Sequence, residues 1–152
     1  MKFLRFLPVF LLLSACVTAT PAPEPTPTIV PPSVLVSADN AYGPLPTDAS
    51  LRQAGVVLSS VNLIERTDLN PSRVELDFLG SMPSTCNQLR IEVGLPNEQY
   101  QIFVTIYSLV NTKIKCDNVF QLFDASVLLG VYSPGRYTVW VNGGQVGDFV
   151  TY

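Results

Sequence analysis

The sequence predicts an all-β protein: a single antiparallel β-sandwich of about seven strands, set behind an apolar leader and a proline-rich tether. Three observations predict it. From residue 56 onward, short stretches of alternating apolar and polar residues recur, each bounded by Gly, Pro, Asn or Asp. No amphipathic stretch of helical period and useful length interrupts them. Near the C-terminus, Asn142-Gly143 separates two strand-like runs. That dipeptide is the strongest short hairpin signal, because a type I′ turn needs positive φ at both central residues.

Taken in order, the chain opens with Lys2 and Arg5, continues through the apolar stretch 6–13, and reaches the small residues Ser14 and Ala15 before Cys16. This is the three-part plan of an export signal. The apolar stretch is too short to span a bilayer, which takes about 20 residues. Leu13-Ser14-Ala15-Cys16 resembles the lipobox of bacterial lipoproteins at all four positions. The resemblance implies that residues 1–15 are a signal peptide and that the chain is cut before Cys16. It also implies that the Cys16 thiol carries a diacylglycerol and that the new amine is acylated. More than one acyl chain makes such an anchor stable, where one is marginal. The expected location is the bacterial cell envelope, lipid-anchored to a membrane and facing outside the cytoplasm. The alternative is an ordinary secreted chain in which Cys16 has no such role.

Residues 17–32 change composition abruptly: Pro21, Pro23, Pro25, Pro27, Pro31 and Pro32 alternate with Thr, Ala and one Glu. Proline at this density forbids a helix and favours extended polyproline II. At about 3.1 Å per residue the stretch reaches roughly 50 Å. Residues 16–48 are therefore assigned as lipidated Cys and linker, and residues 49–152 as the domain. Within the transition, 34–36 reads as a short edge strand, and Asn40, Gly43, Pro44 and Pro46 mark turns. Asp48 is placed to cap one helical turn over 49–54, closed by Gly55.

The strands follow. Residues 56–67 are apolar and β-branched. In 73–78, Val74, Leu76 and Phe78 share one face while Arg73, Glu75 and Asp77 share the other. Leu89, Ile91 and Val93 alternate with Arg90 and Glu92. Residues 100–110 are apolar on both faces, with Ile102, Val104 and Ile106 opposing Phe103, Tyr107 and Leu109, as in a central or partly covered strand. Phe123, Ala125, Val127 and Leu129 are in phase across 119–129. Tyr137, Val139 and Val141 share a face, and 145–152 returns after the hairpin turn. Seven such strands in about a hundred residues resemble the architecture of an immunoglobulin-like sandwich. The resemblance stops there: the only Trp, Trp140, follows both downstream cysteines instead of lying between them.

Of the three cysteines, Cys86 and Cys116 form an even pair once Cys16 is set aside. In an oxidising compartment such a pair reads as a disulfide. The alternatives are two buried thiols or a metal pair, and the absence of histidine with only two sulfurs disfavours zinc. Removing residues 1–15 takes away Lys2 and Arg5, so seven cations face twelve acids and the formal charge becomes −5. That disfavours nucleic acid as a partner.

Chemistry is sparse. With no histidine, the commonest general base is missing. No Gly-rich phosphate loop and no Gly-x-Ser-x-Gly elbow is present. Lys113 and Lys115 sit in a polar loop, where a solvated amine is a poor base. Glu75 and Asp77 project from one strand face, a pairing that suits a solvated outer surface better than a cation site. No catalytic residue, metal site or cofactor is expected. The candidate site is aromatic: Phe103, Tyr107 and Trp140 point outward by phase, and if their strands are neighbours they form one patch for a sugar ring or a protein. The alternative is that this face is covered and is simply core.

The expectation is a tethered, non-enzymatic module that binds a protein or glycan. One competing reading is a structural or assembly accessory of the cell envelope, which a free edge near 145–152 would favour. Another is a protease-inhibitor-like domain presenting the 111–118 loop.

Overall fold

The computed structural model describes residues 31–152. The leader, Cys16 and the tether up to residue 30 lie outside the described residues, and the expectations of export and lipidation lie there with them. The elements in chain order are β1 (Val34–Val36), a 3₁₀ turn (Pro46–Ser50), β2 (Arg52–Ala54), β3 (Val57–Arg66), β4 (Arg73–Met82), β5 (Gln88–Val93), β6 (Gln101–Val110), β7 (Gln121–Leu128), β8 (Val131–Tyr132), β9 (Gly135–Val141) and β10 (Gly144–Thr151). The all-β class holds. The strand number rises from about seven to ten: the expected edge strand at 34–36 forms as β1, and β2 and β8 are two- or three-residue pieces too short to display a period.

Two sheets form the sandwich. One has the order β3-β4-β7. In the other, β10-β9-β6 is joined by β5 and β2, both paired to β6. The odd/even pattern read from sequence sets the core. Val74, Leu76 and Phe78 of β4 and Ala125 and Val127 of β7 meet Ile102, Val104 and Ile106 of β6 and Tyr137, Val139 and Val141 of β9. One end is filled by rings: Tyr137 stacks on Phe149 at 5.5 Å between centroids and meets Tyr100 edge-on at 5.3 Å. The Tyr137 hydroxyl, fully buried, donates to the Ser133 carbonyl at 2.9 Å.

Two expectations are corrected. The sandwich is not wholly antiparallel: β6 and β9 run parallel, pairing 101–104 with 138–141. Between them the chain crosses to the other sheet as β7, and a crossover of that length permits parallel pairing. The helical turn expected over 49–54 is absent. Instead Pro46 begins the 3₁₀ turn, Asp48 lies inside it and accepts the Leu45 N–H at 2.7 Å, and 52–54 is drawn onto β6 as β2. Paired backbone groups on a sheet edge outweigh a single cap in a short segment.

The hairpin between β9 and β10 forms as its sequence demands, with φ of 47° at Asn142 and 86° at Gly143. Gly80 is required by close approach: a Cβ there meets the Val57 carbonyl and lies 2.6 Å from the Phe123 ring. Residues 33–48, assigned from sequence to the linker, lie against the sheets. Ser33 N–H donates to Ser133 Oγ at 3.0 Å, and Ile91 N–H donates to the Tyr42 carbonyl at 2.9 Å.

Candidate functional site

The parallel pairing of β6 with β9 places Phe103 directly opposite Trp140 in register. Both side chains leave the outer face of the larger sheet because their neighbours Ile102, Val104, Val139 and Val141 fill the inner one. Their ring centroids are 6.2 Å apart with planes inclined by 32°. Phe103 is 44% exposed. Trp140 is half-buried, and its indole N–H points to Thr138 Oγ1 at 3.4 Å. On β10, Gln145 stands opposite Trp140 and Asp148 opposite Thr138. Asp148 pairs with Arg136 at 2.6 Å. The result is a flat aromatic strip bordered by amide, hydroxyl and carboxylate groups. Such a surface offers stacking area and hydrogen bonds to a ligand lying across it.

Tyr107, the third expected member, lies four residues further along β6, about 13 Å at strand spacing. It stands opposite Arg90 of β5. Burial raises its phenol pKa, the Glu92 and Asp48 charges add in the same direction, and Arg90 opposes them. Tyr107 therefore stays a neutral hydroxyl through the ordinary pH range. The structure joins Phe103 with Trp140 and sets Tyr107 apart, beside a second cluster. Arg90, which alternates with the inward residues of β5, is itself buried. Its Nε and Nη2 reach Asp48 at 2.7 and 2.8 Å, Nη2 also reaches Gln88 Oε1, and Nη1 donates to the Leu89 carbonyl at 2.8 Å. That pair pins the 3₁₀ turn over this part of the sheet. The chain order hid it, because 42 residues separate the partners.

Cys86 and Cys116 are joined as a disulfide, with Cα atoms 5.9 Å apart. It ties the turn after β4 to the loop after β6. Beneath it runs a buried polar chain: Ser84 Oγ donates to Asn87 Oδ1 at 2.6 Å, Asn87 Nδ2 donates to Ser108 Oγ at 2.9 Å, and Ser108 Oγ donates to the Ala54 carbonyl at 3.2 Å. Every member is satisfied internally, which marks the chain as structural. Among the described residues no group of three or more metal-binding side chains assembles. Glu75 is engaged by Arg66, and Arg73 turns away to the Leu129 carbonyl at 2.8 Å.

The fold and this surface define an all-β sandwich domain with an aromatic outer face. Residues 77–151, from within β4 through β10, match the family described as the ORF11 beta-sandwich domain. No curated protein and no solved structure matches the chain.

Proposed function

We propose that the protein is a membrane-anchored lipoprotein of the bacterial cell envelope whose sandwich is a non-catalytic binding module, engaging a protein or glycan partner through the Phe103–Trp140 face. The observation that carries the reading is the pairing of these two rings on a solvent-facing sheet, where burial in the core would have been the ordinary fate of such side chains. The anchor rests on the resemblance of residues 13–16 to a lipobox, and the proline-rich stretch supplies the reach. Tyr107, opposite Arg90, lies apart from the proposed site.

The test has separate arms. For the anchor, the wild-type chain and Cys16→Ala are expressed in a bacterial host and the membrane fraction is assayed. Loss of membrane retention in Cys16→Ala is expected; equal retention overturns the anchor. For the site, a photo-crosslinking residue replaces Phe103 in the full chain, and soluble oligosaccharides are titrated against Trp140 fluorescence. Crosslinks to one protein that Trp140→Ala abolishes, or a saturable Trp140 fluorescence change with one sugar class that Phe103→Ala abolishes, are expected. Crosslinks indifferent to Trp140→Ala together with titrations indifferent to Phe103→Ala overturn the site. An assembly role is the second reading, favoured by the outer edge of β7, against which no strand lies among the described residues.

A further inference from the structure

The long sheet edges are not equally protected. The outer edge of β5 is occupied: Tyr42 accepts from Ile91 N–H, and Asn40 Nδ2 donates to the Ile91 carbonyl at 2.6 Å. β10 and β3 are end strands too, each paired on one side only, but they lie along the same margin of the sandwich, with Gly147 against Leu63. β7 differs. Leu128 exchanges both backbone hydrogen bonds with Asp39, at 2.8 and 3.1 Å, after which the chain beside it leaves for β5, where Tyr42 meets Ile91. That bridge sets the phase. The even-numbered residues of β7 direct N–H and C=O away from β4, so those of Leu122, Asp124 and Ser126 face outward. Among the described residues no strand lies against them.

Asp124 is the one charged residue on β7. The strand holds no Lys and no Pro, two common protections of exposed strands. Leu122 is 82% exposed, and Val57 and Leu79 on the neighbouring strands share its outward face. Beside them is a groove of about 490 Å³ floored by Gly80 and Phe123.

We propose that the outer edge of β7 accepts an added β-strand from a partner polypeptide in which apolar and basic residues alternate. Strand addition supplies backbone partners to Leu122, Asp124 and Ser126. Apolar residues of the added strand point inward beside Phe123 and Ala125. Basic residues point outward, their stems over Leu122 and their charges near Asp124 and Asp77. Charge decides the occupant. Asp77 and Asp124 face outward on adjacent strands, and among the described residues neither has a cation within ion-pair distance. Burial and then repulsion from Glu75 and Asp124 raise the Asp77 pKa. A second copy of this chain brings more acid to that surface; a basic strand neutralises it.

The probe is a fluorescent synthetic peptide of alternating valine and lysine, with a valine–glutamate peptide as control, titrated against the full chain in detergent by anisotropy. Saturable binding of the lysine peptide alone is expected. Ser126→Pro removes one outward N–H and leaves the β4 ladder intact, so roughly tenfold weaker binding follows. Asp124→Lys should transfer preference to the glutamate peptide. N-methylation of the lysine peptide at alternate amides should abolish binding in one phase and spare it in the other; this arm uses wild-type protein and holds if Ser126→Pro fails to fold. Equal binding of both peptides, or indifference to both substitutions and to methylation phase, overturns the proposal. So does a dimer of the chain alone that Ser126→Pro dissociates, which would assign the edge to a second copy.

Discussion

The side chain of Asn142 clasps the backbone of Ile106. Its Oδ1 accepts the Ile106 N–H and its Nδ2 donates to the Ile106 carbonyl, both at 2.9 Å. Asn142 thus replaces a strand residue on the edge of β6, in the gap between β9, which pairs with 101–104, and β2, which pairs with 108–110. Asn142→Gly keeps the positive φ that the turn requires and removes both bonds. A loss of about 1–3 kcal/mol is expected, seen as a lower urea midpoint with unchanged slope. A midpoint equal to wild type would show that water replaces the amide at no cost.

Two acids should respond oppositely to pH. Hydrogen bonding to Arg90 lowers the Asp48 pKa from its ordinary value of 3.8, against an opposing effect of burial. The stability it contributes is therefore complete above about pH 5 and is lost as pH falls through the lowered folded value. Asp77, raised by burial and by its acidic neighbours, has the opposite sign: its unfavourable contribution is present at neutral pH and is relieved as pH falls through the raised value. Urea midpoints measured from pH 7 to pH 3 should show Asp48→Asn less stable than wild type at pH 7, with the gap closing in acid. Asp77→Asn should be more stable at pH 7.

The disulfide closes a loop with its cysteines 30 residues apart. In the chain-entropy account that contributes about 3–4 kcal/mol through the unfolded state. Reduced protein, or Cys86→Ser with Cys116→Ser, should unfold at correspondingly lower urea. A shift under about 1 kcal/mol would mean that the unfolded chain is already compact in this region.

Phe103 and Phe78 separate surface from core. Phe78 has no exposed surface, and its truncation to Ala should cost about 3–5 kcal/mol. Phe103→Ala loses a cross-strand aromatic contact, at about 0.5–1 kcal/mol. Comparable losses in thermal or urea unfolding would place Phe103 in the core and remove the case for a binding face.

Local pattern determined much of this protein. Alternation alone placed Val74, Leu76, Phe78, Ile102, Val104, Ile106, Tyr137 and Val139 on inward faces, because the strand period of two leaves few other arrangements. Asn142-Gly143 specified its turn, since few residues tolerate positive φ. Phase also sent Phe103 and Trp140 outward. What only the tertiary structure decided was adjacency. The parallel pairing that makes those two rings neighbours, the burial of Arg90 against Asp48, the clasp of Asn142 on Ile106 and the position of β7 at the end of its sheet among the described residues all depend on strand order. Strand order arises from contacts between residues far apart in the chain, and a two-residue period carries no record of which strand lies alongside.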